Sequence, residues 1–556
     1  MALEQDHPLA PYARAVPAFG AALRRHEAGD LAGARAGYLE LVDQPELTGI
    51  CLHQLGILAA NRGDHLRAAE MFRRALRLEP GHIMIGRNLA AALDRVGNPA
   101  AAVAVLVDLG CTLQLAGHYP PAIAFYQEVL ARDPLNYAAN VNLGTALAWQ
   151  EQLPAAARHL VDALALYGRL FPGVAAFARE LETGLAGKLA GFPRGTALPA
   201  GPPGGALEKI EDALTTLGKV MNESGLSEEA LACYEESSRL APGYALGHWN
   251  LSLALLTKGD FRRGWREYEW RWQWRDFPEA RRLLPAPDWQ GEDPAGRRIV
   301  VWGEQGFGDV IQLAPLVSRL KAKGADIVFE VPTPLVRLMK QSLDGVEVIG
   351  RGNDPHTLAV GTLPDFVLPQ FSLPERLGLE TADLPLAAAY LRSDPADDAA
   401  WAARIPASDK KKVGLVWGGR PNQADNPKRS IPLVLLKPLL EAEGISWYGL
   451  QLGPAQAELA ASGLAGITDL SPDLKDFADT AAAIAQLDLV ISVCTAVAHL
   501  AGAMGKPVWL LARTPADWRW GREGDRSAWY PSMRIFRQKR MGDWQGVIAE
   551  VKEALA

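Results

Sequence analysis

The chain has 556 residues, of which 49% are hydrophobic and 22% charged, a composition typical of globular proteins with several domains. Its net charge of −7 and the lack of a long basic run argue against nucleic acid as the main partner. The four cysteines lie far apart without CxxC spacing, which argues against a zinc site or a disulfide framework and fits a reducing cytosol. The polar N-terminus lacks a signal-peptide segment, and charged residues interrupt the longest apolar stretch, 480–511. We therefore expect a cytoplasmic protein without membrane insertion.

A recurring pattern occupies the first half of the chain. A Leu–Gly pair is followed, twelve residues after its glycine, by alanine, then four residues later by an aromatic residue. Three copies keep this spacing and add a proline twelve residues after the alanine: Leu55–Gly56/Ala68/Phe72/Pro80, Leu109–Gly110/Ala122/Tyr126/Pro134 and Leu217–Gly218/Ala230/Tyr234/Pro242. With turn glycines 34 residues apart, the pattern resembles the tetratricopeptide (TPR) repeat, a helix–turn–helix unit.

One such unit cannot bury its apolar face, so the repeats predict a stacked helical solenoid over residues 10–275. Its concave groove is expected to hold a peptide or helix of a protein partner; an array that only supports a dimer or an enzyme is the alternative. Two irregularities are predicted. The anchors Ala90 and Gly110 are only 20 residues apart, so one repeat is shortened, and an irregular insertion at about 168–208 contains a glycine- and proline-rich loop, 191–205.

Four tryptophans, Trp265, Trp270, Trp272 and Trp274, end the array. They are interpreted as packing between the array and the next domain, with an aromatic ligand platform as the alternative. Residues 276–298, rich in proline and arginine, are predicted to form a linker.

The second half predicts two α/β domains, 299–395 and 411–556, with a second linker over 393–412. In the first, strand 299–303 leads through a glycine-rich turn into a helix over 309–323. The predicted strands of both domains are 299–303, 325–331, 346–349, 366–368, 413–417, 447–450, 488–493 and 507–511. Their alternation with helices implies parallel sheets.

The turn at Cys494–Thr495 enters an apolar helix whose N-terminal amides are free to bind phosphate. The last helix, 543–555, is expected to lean back on the first α/β domain.

Two motifs carry a family resemblance. Gly–Phe–Gly308–Asp309 and Thr495–Ala–Val–Ala–His499–Leu–Ala–Gly–Ala–Met–Gly505 resemble the heptosyltransferases. The tail segments 517–520 and 529–538 resemble bacterial proteins that fuse TPRs to such a domain. The arrangement is also similar to O-linked N-acetylglucosamine transferases and to TPR-containing flagellin glycosyltransferases. The resemblance implies an α + α/β protein, in which a TPR solenoid precedes a GT-B pair of Rossmann-like domains, 299–395 for the acceptor and 411–556 for the nucleotide-sugar donor.

The resemblance also implies site residues. Asp309 matches the general base of the heptosyltransferases; a helix-capping role is the alternative, and the two can coexist. The residues expected to bind the donor are Gly418, Lys428, Arg429, Gln451, Thr495, Ala496 and His499, and those expected on the acceptor side of the cleft are Gln305, Gly306 and Gly308. Metal is not expected in a GT-B enzyme.

Several of these assignments have a second interpretation. Lys428 and Arg429 either hold the leaving phosphate, which an arginine can bind bidentately, or are solvated loop cations. His499 either touches phosphate or sugar or fills the interior. Cys494 stands where many relatives have aspartate, which implies altered donor choice or reduced activity. The tail residues Trp518, Arg519, Trp520 and Trp529 either close over the cleft or form a packed tail.

The leading hypothesis is a metal-independent, inverting glycosyltransferase that needs no cofactor besides its nucleotide-sugar substrate. The acceptor would be Ser or Thr of a protein held by the TPR groove, with flagellin the best guess and a CMP-activated nonulosonic acid one candidate donor. A lipid-linked or polysaccharide acceptor is one alternative, and a non-catalytic scaffold is another. Oligomeric state is open, with a homodimer as one option.

Overall fold

The computed structural model describes residues 9–185, 187–188, 209–352, 354, 356–358, 360–421 and 426–556. The loop predicted at 191–205 lies outside the described residues. The chain divides into two compact units, an N-terminal unit Met1–Ser237 and a C-terminal unit Ser238–Ala556. Among the described helices, none is both long enough and apolar enough to cross a bilayer.

The N-terminal unit is built of helices, and from the first to the eleventh each packs on the next in chain order. They are α1 (Ala10–Ala15), α2 (Pro17–Glu27), α3 (Leu31–Leu41), α4 (Thr48–Asn61), α5 (His65–Leu78), α6 (Ile83–Arg95), α7 (Pro99–Leu115), α8 (Tyr119–Arg132), α9 (Tyr137–Trp149), α10 (Leu153–Gly168), α11 (Pro172–Leu185), α12 (Ile210–Glu223) and α13 (Ser227–Leu240), the last of which runs past the unit boundary. The predicted helical repeats are therefore confirmed.

The anchor glycines allow the paired helices to approach closely. A Cβ atom on Gly56 would lie 2.5 Å from the ring of Phe72, and one on Gly110 would lie 2.6 Å from the ring of Tyr126. The same contact recurs 2.5 Å from Tyr234 at Gly218. Any side chain at these positions would push the two helices apart, which explains the Leu–Gly and aromatic spacing.

The shortened repeat has a simple structural cause. Helix α7 has 17 residues and packs against both α6 and α8. It thus serves as the second helix of one hairpin and the first helix of the next. The anchors Ala90 and Gly110 are 20 residues apart because one helix has taken the place of two.

The C-terminal unit begins with a helical hairpin and continues with a first α/β domain. The hairpin consists of α14 (Ala245–Lys258) and α15 (Phe261–Tyr268), followed by a 3-10 turn at Glu269–Trp272. The first sheet has four parallel strands in the order β3-β2-β1-β4: β1 (Arg298–Trp302), β2 (Asp326–Val331), β3 (Glu347–Gly350) and β4 (Phe366–Pro369). Its helices are α16 (Phe307–Ala322), α17 (Val336–Ser342) and α18 (Leu373–Arg376), with 3-10 turns at Thr333–Leu335, Gln370–Ser372 and Thr381–Asp383.

The second sheet has six parallel strands in the order β10-β9-β8-β5-β6-β7. They are β5 (Lys411–Val416), β6 (Ile445–Gly449), β7 (Ile467–Asp469), β8 (Leu489–Val493), β9 (Val508–Ala512) and β10 (Met533–Arg537). The helices are α19 (Pro395–Arg404), α20 (Asn426–Arg429), α21 (Lys437–Leu440), α22 (Ala457–Ser462), α23 (Phe477–Ala485), α24 (Ala496–Ala503) and α25 (Trp544–Leu555), with 3-10 turns at Leu433–Leu436, Pro454–Gln456, Ser471–Asp473 and Trp518–Trp520.

This strand order is that of a Rossmann fold, 3-2-1-4-5-6, and the first sheet has its 3-2-1-4 part. In such sheets ligands bind beyond the carboxyl ends of the strands, at the switch point, where the connections from two adjacent strands run in opposite directions along the sheet. That point lies after β1 and β4 in the first sheet and after β5 and β8 in the second. The predicted α + α/β architecture with a GT-B-like pair is confirmed.

Two strands were missed and one expectation was wrong. Strands β7 and β10 had no predicted counterpart, so the tail residues from Trp518 to Trp529 precede the last strand instead of following it. Helix α25 does not lean on the first α/β domain as expected. Its apolar stripe, Val547, Ile548 and Val551, is buried in a core formed by the second domain, together with Leu433, Leu436 and Leu439.

The predicted linker 276–298 has no helix or strand before Arg298, where β1 begins, but it is packed against the first sheet. Asp288 forms a parallel bridge with Val367 in β4, and Trp289 is only 2% exposed. Arg282 donates two hydrogen bonds to the buried Glu330 carboxylate, both 3.0 Å long.

Candidate active site

Asp309 lies in the first turn of α16, directly beyond the carboxyl end of β1. Its Oδ2 accepts a hydrogen bond of 2.7 Å from the backbone N–H of Gly306, the residue that precedes the helix. The side chain therefore has the capping role that was one interpretation of this residue. Its other oxygen, Oδ1, lies 2.5 Å from a guanidinium nitrogen of Arg519. The carboxylate is thus held at both oxygens and remains partly exposed.

Arg519 comes from the turn Trp518–Trp520 of the second α/β domain. Besides Asp309, it donates to Gln312 Oε1 at 2.6 Å and to Asp517 Oδ1 at 3.0 Å. We call Asp309, Gln312, Asp517 and Arg519 the Asp309 cluster. Burial raises the pKa of Asp309, and the charge of Arg519 works against that rise. An ion pair therefore joins the two α/β domains here, between the Asp309 carboxylate of the first and the Arg519 guanidinium of the second.

The loop that precedes Asp309 is fixed by hydrogen bonds to other parts of the unit. Gln305, predicted at the acceptor side, has a left-handed backbone with φ of 64°. Its backbone N–H donates to Glu279 at 2.6 Å, and its side-chain amide donates to the Tyr268 hydroxyl at 2.8 Å. A left-handed non-glycine residue costs on the order of 1–3 kcal/mol and persists only where its surroundings hold it. Gln305 thus fixes the loop that presents Asp309.

A buried ion pair lies beside this loop, and the sequence did not predict it. Arg271 is 0% exposed and contacts Glu304 through two nitrogens, at 3.1 and 2.9 Å. It also donates to Glu269 at 2.7 Å, while Glu304 accepts from the backbone N–H of Phe371 at 2.8 Å. The pair connects the turn after α15 with the loops after β1 and β4. Glu304 is visible in the glycine-rich turn, but its partner 33 residues away is not.

The tryptophans around Arg271 have different environments. Trp265 is buried and makes an edge contact of 5.4 Å with Trp518, and Trp270 stacks on His248 at 4.0 Å. These two follow the packing interpretation. Trp270, Trp272 and Trp274 are all partly buried. Trp272 lies 5.8 Å from Trp302 of β1, and Trp274 lies near Phe277.

At the switch point of the second sheet, the loop after β5 is pinned by Gln451. Its Oε1 accepts from the backbone N–H groups of Trp417 at 3.0 Å and Gly418 at 2.8 Å. Its amide donates to the carbonyls of Gly418 and Leu452, at 3.1 and 2.8 Å. Because the side-chain amide is engaged with backbone groups, it shapes the loop. Gly418 is itself tightly packed, because a Cβ there would lie 2.6 Å from that of Ala455.

Arg429 and Lys428 lie in the four-residue helix α20, and Arg429 is half-buried. The Arg429 guanidinium borders the same loop, 2.6 Å from where a Cβ of Gly419 would lie. Its charge is close enough to oppose the burial-driven rise in the pKa values of both Asp309 and Cys494. The structure thus brings Arg429 and Asp309 into one electrostatic environment. Residues 422–425, which precede the helix, lie outside the described part.

Thr495 is the residue before α24, and its hydroxyl pairs with that of Ser492 at 2.9 Å. The neighbouring Cys494 accepts a hydrogen bond from the Trp520 indole N–H at 3.2 Å, and burial raises the pKa of its thiol. A protonated, hydrogen-bonded thiol is not a nucleophile.

His499, Ala496 and Gly308 form the contact between α24 and α16. A Cβ on Gly308 would lie 2.8 Å from a ring carbon of His499 and 3.4 Å from the Cα of Ala496. His499 is 4% exposed, and its Nδ1 lies 2.8 Å from the Tyr530 hydroxyl. Burial, followed by the charge of Arg519, lowers its pKa to about 3. His499 is therefore a neutral, hydrogen-bonded residue in the interior, the second of its two interpretations.

The chain is similar to several known proteins. A tetratricopeptide repeat family model matches residues 141–172. The chain is 28% identical over 558 residues to the protein FlbA of Caulobacter vibrioides, a match that covers 95% of this chain and 87% of FlbA. Among solved structures, an E. coli ADP-heptose LPS heptosyltransferase II is similar at 15% identity and a TM-score of 0.33, covering 46% of this chain and 98% of its own. A glycosyl transferase family 9 protein from Veillonella parvula is similar at 12% identity and a TM-score of 0.37, covering 48% of this chain and 99% of its own. The family model supports the tetratricopeptide repeats predicted from the sequence.

Proposed function

We propose that this chain is a glycosyltransferase that uses Asp309 as the base and binds a nucleotide-sugar at the switch point of its second Rossmann-like domain. One observation supports this most directly. A carboxylate at the carboxyl end of β1 faces arginines that belong to the second α/β domain. A proton acceptor and cations for a leaving phosphate would then share one site.

Glycosyl transfer makes three chemical demands on such a site. The acceptor hydroxyl must lose a proton, positive charge must be tolerated at the anomeric carbon, and the leaving phosphate must be stabilised. We assign the first to Asp309 and the last to Arg429, Lys428 and the backbone amides that open α24. With these cations the reaction proceeds without metal. Direct attack by the activated hydroxyl inverts the anomeric centre.

The acceptor is proposed to be a protein, modified on Ser or Thr. The TPR hairpins of the N-terminal unit support this, because stacked repeats present an extended surface for peptides. Flagellin is the acceptor that the resemblance to TPR-containing flagellin glycosyltransferases suggests, with a CMP-activated nonulosonic acid as donor. A lipid-linked or polysaccharide acceptor is the alternative, and intact-mass analysis of a candidate protein acceptor separates the two.

A non-catalytic scaffold is the second candidate function. One observation favours it, since both oxygens of Asp309 are already hydrogen-bonded. The family resemblance adds a second argument, because it implies a carboxylate where this chain has Cys494. In that case the second domain would bind nucleotide weakly or not at all.

The first experiment is a thermal-shift screen of the full chain with UDP, GDP, ADP and CMP. A nucleotide present at about a hundred times its Kd should stabilise the protein by about 2.7 kcal/mol. The shift should disappear in the variant Lys428→Ala/Arg429→Ala. Absence of a shift with all four nucleotides would favour the scaffold.

The decisive experiment is sugar transfer by Asp309→Asn, followed as mass gain on purified flagellin supplied with a CMP-activated nonulosonic acid. Asparagine keeps an oxygen for the Gly306 N–H but turns its NH2 group toward Arg519, so circular dichroism is measured to show that the variant is folded, and transfer should fall by about 10²-fold or more. Asp476→Asn is the matched control. Asp476 also caps a helix, α23, and pairs with an arginine, Arg337, at 2.8 Å. Equal activity of Asp309→Asn and wild type would refute the assignment of the base.

A further inference from the structure

Arg519 has a contact geometry that an ordinary surface ion pair lacks. It is 9% exposed, and each of its three guanidinium nitrogens has its own acceptor. Nε donates to Gln312 at 2.6 Å, one terminal nitrogen donates to Asp517 at 3.0 Å, and the other donates to Asp309 at 2.5 Å. The planar group also lies over the ring of Trp518, 4.3 Å from its centroid. Because a guanidinium is rigid, these contacts fix the direction from which it meets Asp309.

The charges around Arg519 affect whether Asp309 is ionised. Two carboxylates, Asp309 and Asp517, share one cation in a largely buried place. Burial and then the neighbouring Asp517 favour the protonated form of Asp309, whereas Arg519 favours the ionised form. A base that is already protonated cannot accept the proton of a hydroxyl, so this balance decides how much of the enzyme is active at neutral pH.

Asp309 can still accept a proton although both of its oxygens already accept hydrogen bonds. A carboxylate offers about four lone-pair positions, and the Gly306 N–H and Arg519 occupy two of them. The two hydrogen bonds also restrict rotation about the side chain, so the direction of each free lone pair is fixed.

We propose that Arg519 is a positioning residue for the base, holding Asp309 ionised and oriented from the second α/β domain. The proposal rests on the proposed function. In the transfer step, the acceptor O–H proton moves to Asp309 while the acceptor oxygen forms a bond to the anomeric carbon. The bond from that carbon to the phosphate oxygen breaks, and the nucleotide leaves with the electron pair. Arg519 touches neither reacting centre and acts through Asp309.

Arg519 also makes the base depend on contact between the two domains. Asp309 and Gln312 belong to helix α16 of the first α/β domain, whereas Arg519 and Asp517 lie between β9 and β10 of the second. Separation of the domains would leave Asp309 without its cation.

The test compares the pH dependence of transfer in wild type, Arg519→Gln and Arg519→Lys. An opposite charge within a few ångströms lowers a carboxyl pKa by about 1–3 pH units, so its removal should move the acid limb of kcat/KM upward by about that amount. At pH values below the limb, Arg519→Gln should therefore lose kcat/KM by about tenfold for each pH unit that the limb moves, and it should recover at high pH. Arg519→Lys keeps the charge but not the three-point contact, so its acid limb should lie between those of wild type and Arg519→Gln.

Asp517→Asn supplies a near-isosteric second variant with the opposite sign. It removes the carboxylate that raises the pKa of Asp309, so the acid limb should move downward. If the Asp309 cluster had only a structural role, Arg519→Gln and Asp517→Asn would not move the acid limb in opposite directions.

The matched control is Arg337→Gln. Arg337 pairs with Asp476 at 2.8 Å and Asp479 at 2.5 Å and thus joins the two α/β domains away from Asp309. This variant should leave the pH profile unchanged. Thermal shifts with CMP should be equal in wild type and in all Arg519 variants, because Arg519 is not assigned to the donor.

Two results would overturn the proposal. A loss of activity in Arg519→Gln that is uniform over all pH values would make Arg519 a structural clamp, and a lost CMP shift would make it a donor ligand. Failure of the proposed function looks different, since wild type would then transfer no sugar or Asp309→Asn would remain active.

Discussion

Replacing Arg271 by methionine should destabilise the C-terminal unit strongly, because it leaves a carboxylate buried without its cation. In the native protein, Arg271 is 0% exposed and binds Glu304 at 3.1 and 2.9 Å. In Arg271→Met, Glu304 would keep the hydrogen bond from the backbone N–H of Phe371 but lose both guanidinium contacts. Breaking a buried pair from one side costs about 3–5 kcal/mol.

The pH dependence of this loss has a definite sign. Burial raises the pKa of Glu304 and Arg271 opposes the rise, so removal of Arg271 raises that pKa further. At pH values between the Glu304 pKa of the unfolded chain and that of the folded variant, the folded variant binds a proton that the unfolded chain does not. Its stability therefore falls as pH rises, and the difference from wild type should be larger at about pH 8 than at about pH 5.5.

Tryptophan fluorescence during urea unfolding reports mainly on the C-terminal unit, because Trp149 alone among the 16 tryptophans precedes residue 238. The double variant Arg271→Met/Glu304→Gln removes both charges and should regain much of the lost stability. A cost for Arg271→Met below about 1 kcal/mol at both pH values, as for an exposed pair, would refute the reasoning. So would a double variant whose loss equals the sum of the two single losses.

Two further predictions concern close packing and buried imidazoles. Gly308→Val should cost about 1–3 kcal/mol in the same fluorescence assay, because its Cβ would lie 2.8 Å from the His499 ring; wild-type stability would contradict the packing role. In the N-terminal unit, burial lowers the pKa of His53 and of His159 to about 4 each. Since the unfolded chain protonates these rings near pH 6.5, stability should fall as pH drops from about 6.5 to about 4, by about 1.4 kcal/mol per pH unit for each histidine. Circular dichroism at about pH 7 and about pH 5 measures this, and His159→Gln should reduce the slope.

The fold could be predicted where local pattern and structure coincide. All eight predicted strands occur within about two residues of their expected bounds, because each is a short apolar run bounded by turn residues. Strand β7 has only three residues, Ile467–Asp469, and two of them are polar, so it leaves no such run. Strand β10 lies among aromatic and arginine residues whose burial depends on neighbouring strands. The sharing of helix α7 by two hairpins showed only as an irregular spacing.

The location of the candidate site could be predicted from the sequence, but its network of ion pairs and hydrogen bonds could not. The glycine-rich turn and its aspartate pointed to the carboxyl end of β1, and the strand order places that end at a switch point. The partners of Asp309 and Glu304 are 210 and 33 residues away in the sequence, and only tertiary structure brings them together. Gln451 and His499 were expected to bind the donor. Amides and imidazoles satisfy buried protein groups as readily as ligands, and the residue type does not distinguish the two uses.

The turn Trp518–Trp520 connects three parts of the C-terminal unit through three consecutive side chains. Trp518 makes its edge contact with Trp265 of the α14–α15 hairpin, Arg519 holds Asp309, and Trp520 donates to Cys494 before helix α24. The last repeat hairpin, the orientation of Asp309 and the entrance to α24 therefore depend on the same short turn. This gives a physical reason for the hairpin to belong to the compact unit of the two α/β domains, although its sequence marks it as part of the repeats.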